Sequence, residues 1–344
     1  MNQLDKTFSS SEQFWNTGVF FPPSILEIEA LHATSPKSKL RIFTPEYNLH
    51  QTIKEMNEKW IHLGNYSEKS FLEEAYVFHT RELSHELIIS LISLAFKRTL
   101  IKHKIRLLSE KRLGIFSLSK KVTATLKIKH EEVAHKRNGV IEVIYRKEKE
   151  IPHISILDKQ EVSYVYADKN LTFLTAESLF SSTEVDHGSD FLLSVLPSSS
   201  YTQVLDVGCG WGVIGLSIAS RFPLGHVTLI DSNLIAVKQT SKNVQINQLK
   251  NTKCLFVSVQ AMEDKYENKF DLIVSNPPFH VANAELYSHF ESIKKLLSPC
   301  GQMYLGIENS YLSRFIKILK HFFVQVEVFK ENKSIKYTII RIEK

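Results

Sequence analysis

The chain has 344 residues, 43% hydrophobic and 23% charged, an ordinary globular composition that suggests two domains of about 150 residues each. Its three cysteines, Cys209, Cys254 and Cys300, have no framework spacing and no Cys-x-x-Cys pair, so neither a disulfide scaffold nor a metal site is expected and a reducing, cytoplasmic setting fits best. The opening Met1-Asn2-Gln3-Leu4-Asp5-Lys6 has no basic or apolar region, and the longest apolar run, Leu87 to Phe96, is broken by Ser90 and Ser93, so no export leader or membrane span is expected.

Residues 1 to about 170 read as a mixed α/β domain without a recognisable site. Strands are expected at Lys39 to Phe43, Ala75 to Phe78, Gly114 to Leu118, Val122 to Ile128 and Val140 to Tyr145, all rich in β-formers. Glu82 to Lys97 carries Leu83, Leu87, Ile88, Leu91 and Leu94 at near-helical spacing, which predicts an amphipathic helix. Only Gly18, Gly64, Gly114 and Gly139 fall in this half, too far apart for a phosphate or cofactor loop, and no cofactor is expected there.

The net charge of +6 is uneven. Residues 101 to 150 hold 14 Lys/Arg against 6 Asp/Glu, and residues 151 to 200 hold 2 against 7. A basic block of this kind can meet a phosphate backbone. The alternative is a solvated helix face carrying Lys102, Lys104, Arg106, Lys111 and Arg112, and composition does not choose between the two.

From residue 171 the other eight glycines and a strict strand-helix alternation appear together. A helix is expected at Glu184 to Val195 and a strand at Val204 to Val207. The glycine-rich Gly208 to Gly215 then opens a helix through Ser220. Strands follow at 226–231, 253–257, 270–275 and 301–307, helices at 233–247, 284–297 and 310–320, and two consecutive strands at 322–329 and 335–342. This alternation predicts a doubly wound, mostly parallel sheet closed by an antiparallel hairpin.

Glycines at 208, 210 and 212 directly after a buried strand let the backbone turn tightly and approach a ligand. Asp231 lies at the end of the second strand, where a carboxylate can accept from two ribose hydroxyls. That pair alone fits NAD or S-adenosylmethionine. Asp206, just before the turn, suits the amino-acid end of the latter, or else caps its own loop.

The fourth strand stops in Asn276-Pro277-Pro278-Phe279-His280. A primary amide, a proline carbonyl and a ring at a strand end can accept both hydrogens of a planar NH₂ group and stack on its ring; the alternative is an ordinary strand exit with a core Phe. In a doubly wound sheet the first and fourth strands are neighbours, so Asn276 should face Gly208 to Gly212. A base amine beside a methyl sulfonium is useful, whereas hydride transfer has no use for that arrangement.

Val204 to Gly212 resembles the first motif of class I methyltransferases. Asn276 to His280 resembles the amino-methylating signature of the bacterial ribosomal RNA guanine-N2 methyltransferases, the RsmC-like and RlmG-like enzymes. The likeness extends to Leu171-Thr172-Phe173, Leu179-Phe180-Ser181 and Val185-Asp186-x-Gly188-Ser189. It implies a Rossmann-like catalytic domain at 171–344 preceded by a degenerate, RNA-docking methyltransferase-like domain at 1–170. Two departures stand out. Val281-Ala282-Asn283-Ala284 replaces the family's small or glycine-containing turn, and Ser258-Val259-Gln260 offers no carboxylate to an adenine, leaving backbone atoms or Gln260.

The resemblance implies that S-adenosylmethionine is held by Asp206, Gly208, Gly210, Gly212, Asp231, Gln260 and Asn276. Asn276, Pro277, Pro278 and Phe279 would then methylate a guanine N2 amine in ribosomal RNA, 16S RNA of the small subunit, by a cytoplasmic, metal-free monomer. The Asn276 oxygen and Pro277 carbonyl would pull the amine toward tetrahedral geometry while Phe279 stacks on a base taken out of its helix. His280 could relay the proton, but a structural role suits a lone His beside a ring better. Methylation of another planar amine (a large-subunit guanine, an adenine or a protein glutamine) and a non-catalytic ribosome assembly factor remain alternatives.

Overall fold

A computed structural model describes residues 15–20, 22, 25–34, 39–56, 61–63, 72–79, 83–135, 140–146, 151, 154, 159–176, 179, 181, 183–198, 201–279 and 281–344. The chain divides into two compact units, 1–158 and 159–344.

The first unit runs β1 (Trp15–Phe20), α1 (Ile25–Thr34), β2 (Leu40–Phe43), α2 (Tyr47–Met56), β3 (Ile61–Leu63), β4 (Leu72–His79), α3 (His85–Arg98), β5 (Thr99–Glu110), α4 (Ile115–Leu126), β6 (His130–His135) and β7 (Val140–Arg146). Its strands form one sheet in the order β3-β2-β1-β4-β5-β7-β6, in which β7 runs antiparallel to β5 and β6. The expected helix is α3, capped by the Ser84 side chain, which accepts the Leu87 amide.

Two expected strands, 114–118 and 122–128, are instead the single helix α4. Ile115, Leu118, Ser119, Val122 and Leu126 are buried at helical spacing, a period that outweighs the β-propensity of the individual residues. Gly114, at φ +76°, begins this helix and Lys127, also left-handed, ends it. The stretch carrying Lys104 and Arg106 is no helix face either. It is strand β5, in which buried Ile105, Leu107 and Ser109 alternate with half-buried Lys104, Arg106 and Leu108. Arg106 pairs with Glu74 on β4 and, at 3.0 Å, with Glu142 on β7, so it ties three strands together. Lys111 and Arg112 lie exposed on the turn before α4, Arg112 paired with Glu110, and the Lys102 side chain lies outside the described residues.

The second unit begins with a hairpin of β8 (Lys159–Tyr166) and β9 (Lys169–Ala176) that the sequence did not announce. There follow α5 (His187–Val195), β10 (Gln203–Val207), α6 (Val213–Arg221), β11 (His226–Asp231), α7 (Leu234–Ile246), β12 (Thr252–Phe256), α8 (Glu263–Tyr266), β13 (Phe270–Ser275), α9 (Asn283–Leu296), β14 (Leu297–Glu308), α10 (Leu312–Phe322), β15 (Gln325–Asn332) and β16 (Tyr337–Glu343). The sheet order is β12-β11-β10-β13-β14-β16-β15, parallel through β14, with β15 and β16 as the expected antiparallel hairpin. Strand for strand this repeats the order of the first unit.

The inner strands read Val204-Leu205-Asp206-Val207 and Leu272-Ile273-Val274-Ser275, buried on both faces as a covered parallel sheet requires. Beside them, amide side chains on α7 and its C-terminal cap replace a missing neighbour strand for β9. Asn243 and Asn247 accept the Leu174 and Thr172 amides at 2.8 and 2.9 Å, and Gln239, Asn243 and Asn247 donate to the carbonyls of the same two residues. A strand edge is thereby satisfied by a helix.

Candidate functional site

The site lies at the carboxyl ends of β10, β11 and β13, where the strand order reverses. The glycine loop folds back on β11: the Gly208 and Cys209 amides donate to the Ile230 carbonyl at 2.9 and 3.0 Å, and the Gly210 amide donates to Asp231 Oδ2 at 2.9 Å. Gly208, Gly210 and Gly212 all have positive φ. Their missing side chains differ in what they serve. A Cβ at Gly208 or Gly210 would meet nothing within 4 Å, whereas one at Gly212 would press on Leu216 at 2.9 Å and Thr240 at 3.0 Å. The first two keep backbone open to a ligand, and Gly212 also lets α6 and α7 pack.

Helix α7 fixes the loop from the other side. Thr240 Oγ1 donates to the Gly210 carbonyl and Asn243 Nδ2 to the Trp211 carbonyl, each at 2.8 Å, while Trp211 meets Phe173 of β9 edge-on at 5.1 Å. None of these braces was anticipated, although polar residues spaced at 239, 243 and 247 on one helix face were a visible signal.

Asp206 is almost fully buried, and its Oδ2 accepts the Gly215 amide at 2.8 Å. This contact belongs to its own loop and braces the start of α6. Burial pushes its carboxyl up to about 7, against the Gly215 hydrogen bond and helped by nearby Asp231. Asp231 accepts Gly210 on one oxygen and the Asn233 amide, at 2.8 Å, on the other. Its carboxyl is raised to about 6, again by burial and against those two bonds. A carboxylate oxygen has two acceptor sites, so each oxygen can still take a hydroxyl. Gln260 is exposed at the turn after β12, and its amide donates to Ser288 Oγ at 3.3 Å.

Ser275 Oγ donates to the Val207 carbonyl at 2.8 Å, stitching the end of β13 to the start of the glycine loop. The next residue is Asn276, half-buried, whose Nδ2 donates to Asp186 Oδ1 at 2.9 Å and to Ser189 Oγ at 3.3 Å. Asp186 is the N-cap of α5 and takes the Gly188 and Ser189 amides on the same oxygen at 3.0 Å each. Pro277 is buried, Pro278 is exposed and His280 lies outside the described residues. Phe279 stacks on Tyr311 at 5.3 Å and 11°, with Phe315 and Tyr337 edge-on at 6.2 Å each. Arg314 of α10 donates to the Phe279 carbonyl at 3.0 Å, to the Val281 carbonyl and to Asn283 Oδ1 at 2.8 Å, pinning the loop whose Val281 to Ala284 stand in place of a glycine-containing turn. Tyr311, Tyr337 and Arg314 come from chain segments whose part in the site only the fold reveals.

The arrangement sets the glycine loop and Asp231 one strand away from the Asn276 amide and the stacked Phe279 and Tyr311 rings. Among the described residues no cluster of side chains could hold a metal ion, and no helix is long and apolar enough to cross a membrane.

Comparison with known proteins agrees with this geometry. Two proteins of Haemophilus influenzae named ribosomal RNA small subunit methyltransferase C are similar. That of strain PittGG is 27% identical over 69% of this chain and 70% of its own length, and that of strain Rd is 30% identical over 59% of each. The Bacillus subtilis protein YbxB is 31% identical over 54% of this chain and 92% of its own. The solved T. thermophilus 16S rRNA N2 G1207 methyltransferase (RsmC), in complex with AdoMet and guanosine, has the same fold. Its TM-score is 0.79 at 20% identity, covering 97% of this chain and 90% of that one. Residues 170–341, half of the chain, match the methyltransferase small domain, and the chain belongs to that family.

Proposed function

We propose that the protein transfers a methyl group from S-adenosylmethionine to the exocyclic N2 amine of a guanine in ribosomal RNA, that of the small subunit. The observation that carries this reading is the Asn276 amide. Its hydrogens are engaged by Asp186 and Ser189, which turns Oδ1 away from them as an acceptor, one hydrogen-bonded strand from the glycine loop. The names of the Haemophilus relatives point the same way.

The residues fit the cofactor: Gly208 and Gly210 have space where a side chain would stand, and Asp231 retains acceptor capacity for ribose hydroxyls. Bound there, S-adenosylmethionine supplies an electrophilic methyl group. Asp206 holds the cradle rather than touching its contents, Gly212 serves mainly packing, and Gln260 is the side chain offered to the adenine. On the other side, Asn276 Oδ1 and the Pro277 carbonyl accept the two amine hydrogens, which directs the nitrogen lone pair out of the base plane. Phe279, stacked on Tyr311, is the ring offered to the flipped base, a contact worth about 1 to 3 kcal/mol. Attack by the base nitrogen would form the N–C bond as the sulfonium's S–CH₃ bond breaks, leaving S-adenosylhomocysteine, and the acidified hydrogen, held at Asn276 Oδ1 or the Pro277 carbonyl, would pass from there to solvent.

The first unit has lost such a cradle. No glycine lies between Gly18 and Gly64, and the acid after its second strand, Glu46, turns its oxygens to the Asn48 and Leu49 amides of its own helix at 3.1 and 2.7 Å. It serves to dock RNA through its basic surface, in a cytoplasmic monomer. The test is to incubate the protein and labelled S-adenosylmethionine with each ribosomal subunit and its naked RNA, digest, and identify the labelled nucleoside. N2-methylguanosine from the small-subunit RNA is expected; label in protein, in another nucleoside or in none would overturn the reading.

A further inference from the structure

We infer that Asp186 is a positioning residue for methyl transfer, fixing which end of the Asn276 amide faces the base; this rests on the function proposed above. An asparagine side chain can present either its oxygen or its NH₂ by rotating half a turn, and the two ends differ little in shape. Only the oxygen is useful here, because the target amine is itself a donor and would be repelled by a second NH₂. Asn276 therefore needs a neighbour that tells the two ends apart.

Asp186 is that neighbour. An ionised carboxylate has no hydrogen to give, so the group 2.9 Å from its Oδ1 must be Nδ2. Ser189, 4% exposed, adds its hydroxyl to the same nitrogen at 3.3 Å. The amides of Gly188 and Ser189 hold Asp186 Oδ1 in place, so the first turn of α5 is a rigid mount. Gly306 on β14 completes the arrangement from the oxygen side. A Cβ there would stand 3.6 Å from Asn276 Oδ1, and the absence of a larger side chain keeps that oxygen uncovered.

The same turn reaches the ring of the pocket. Any side chain at Gly188 would collide with Tyr337, whose ring meets Phe279 edge-on at 6.2 Å. Asp186, Gly188 and Ser189 thus set both the acceptor and the aromatic wall. The sequence separation of 90 residues between Asp186 and Asn276 hides the relationship from any local pattern.

Helix capping alone would also explain Asp186, and the experiment must separate the two roles. Serine caps a helix as well as aspartate but is too short to reach Asn276, whereas asparagine keeps an acceptor oxygen at the position of Oδ1. Full-length Asp186→Ser, Asp186→Asn, Asn276→Ala and the Asp186→Ser/Asn276→Ala double variant are assayed with labelled S-adenosylmethionine on small ribosomal subunits. Cofactor affinity is measured by calorimetry. Asp186→Ser should lower kcat by about ten- to a hundred-fold, as expected for one mis-set hydrogen bond to a reacting group, with cofactor Kd and substrate KM within about twofold. Asp186→Asn should recover most of the rate. In the double variant the serine should cost nothing beyond Asn276→Ala, since there is no amide left to orient. Wild-type kcat in Asp186→Ser, or an equal loss with and without Asn276, would overturn the inference and leave Asp186 a cap. If Asn276→Ala itself turned over normally, the reading of the site would fall instead.

Discussion

Asp231 accepts the Gly210 amide on the oxygen next to the one that accepts the Asn233 amide, so the acid at the end of β11 and the glycine loop after β10 are one rigid unit. Its carboxyl, raised by burial from an ordinary 3.8 to about 6, and that of Asp206, raised to about 7, set a pH dependence with two opposite signs. Both folded-state values exceed the unfolded ones, so the folded protein binds more protons between about pH 4 and 7. The stability these groups contribute is complete below the unfolded value and is lost as pH rises through 6 to 7. Cofactor binding runs the other way, because the ionised carboxylate is the stronger acceptor. S-adenosylmethionine affinity by calorimetry should fall about tenfold one pH unit below the Asp231 value, as the ionised fraction falls, and Asp231→Asn should flatten that profile. A pH-independent wild-type Kd would refute the ribose role.

The glycines of the loop should separate by mutation. Gly208→Ala meets no neighbour but must hold a left-handed backbone, which costs roughly 1 to 2 kcal/mol, and places a methyl on the face proposed to meet the cofactor. Gly212→Ala adds a collision with Leu216 and Thr240 to the same backbone cost. Melting temperature should therefore drop more in Gly212→Ala, and cofactor affinity relative to stability should suffer more in Gly208→Ala. The reverse order would contradict the division of roles.

Arg314 should matter to RNA and not to the cofactor. Its guanidinium holds the carbonyls of Phe279 and Val281 together with Asn283, and nothing on the glycine loop. Arg314→Ala should reduce kcat/KM for the ribosomal substrate by about ten- to a hundred-fold, the scale of losing charged hydrogen bonds, with an unchanged S-adenosylmethionine Kd. Equal losses in both would mean that the loop and the cradle are coupled.

Much of the second unit is legible in the sequence because its inner strands are buried on both faces and alternate regularly with helices. The Val204 to Gly212 and Asn276 to Phe279 motifs each sit at a strand end, where chemistry and chain direction coincide. What escapes reading has physical reasons. The β8–β9 hairpin turns through Ala167 and Asp168, both at positive φ, where an Ala-Asp pair stands in place of the Asn-Gly that signals such turns. Helix α4 reads as two strands because Val122, Thr123 and Thr125 favour strands one by one, while the spacing of Ile115, Leu118, Val122 and Leu126 favours a helix. In β5 a run of cations hides a strand whose Ile105 and Leu107 face the core. The partners of Asn276 and Phe279 come from 90 residues before and up to 58 residues after, and only tertiary packing brings Asp186 and Tyr337 to them.

Charge reversal tests the basic block only at side chains that the fold leaves exposed. Arg106 is committed to Glu74 and Glu142, so its reversal would damage the first sheet rather than test RNA binding. Lys111, Lys120, Lys127 and Lys129 are exposed around α4. Reversing these four should raise KM for the ribosomal substrate, leave S-adenosylmethionine binding intact, and reduce the slope of log affinity against log salt by about 0.7 to 0.9 for each phosphate no longer neutralised. Parallel salt slopes for the two proteins would place the docking surface elsewhere.

In the proposed reaction Asn276 acts on the base amine and not on the cofactor or the fold. The decisive measurement is single-turnover methyl transfer to the small subunit by Asn276→Ala, with calorimetry of S-adenosylmethionine on the same protein. An interaction made mainly in the transition state disappears from kcat and not from cofactor binding. The expected result is a rate lower by about a hundred-fold or more, on the scale of removing one preorganised polar group, with Kd within about twofold of wild type. A near wild-type rate would reduce the Asn-Pro-Pro-Phe segment to a strand exit, and a rate that falls only in step with cofactor affinity would move Asn276 to the cofactor's side of the cleft.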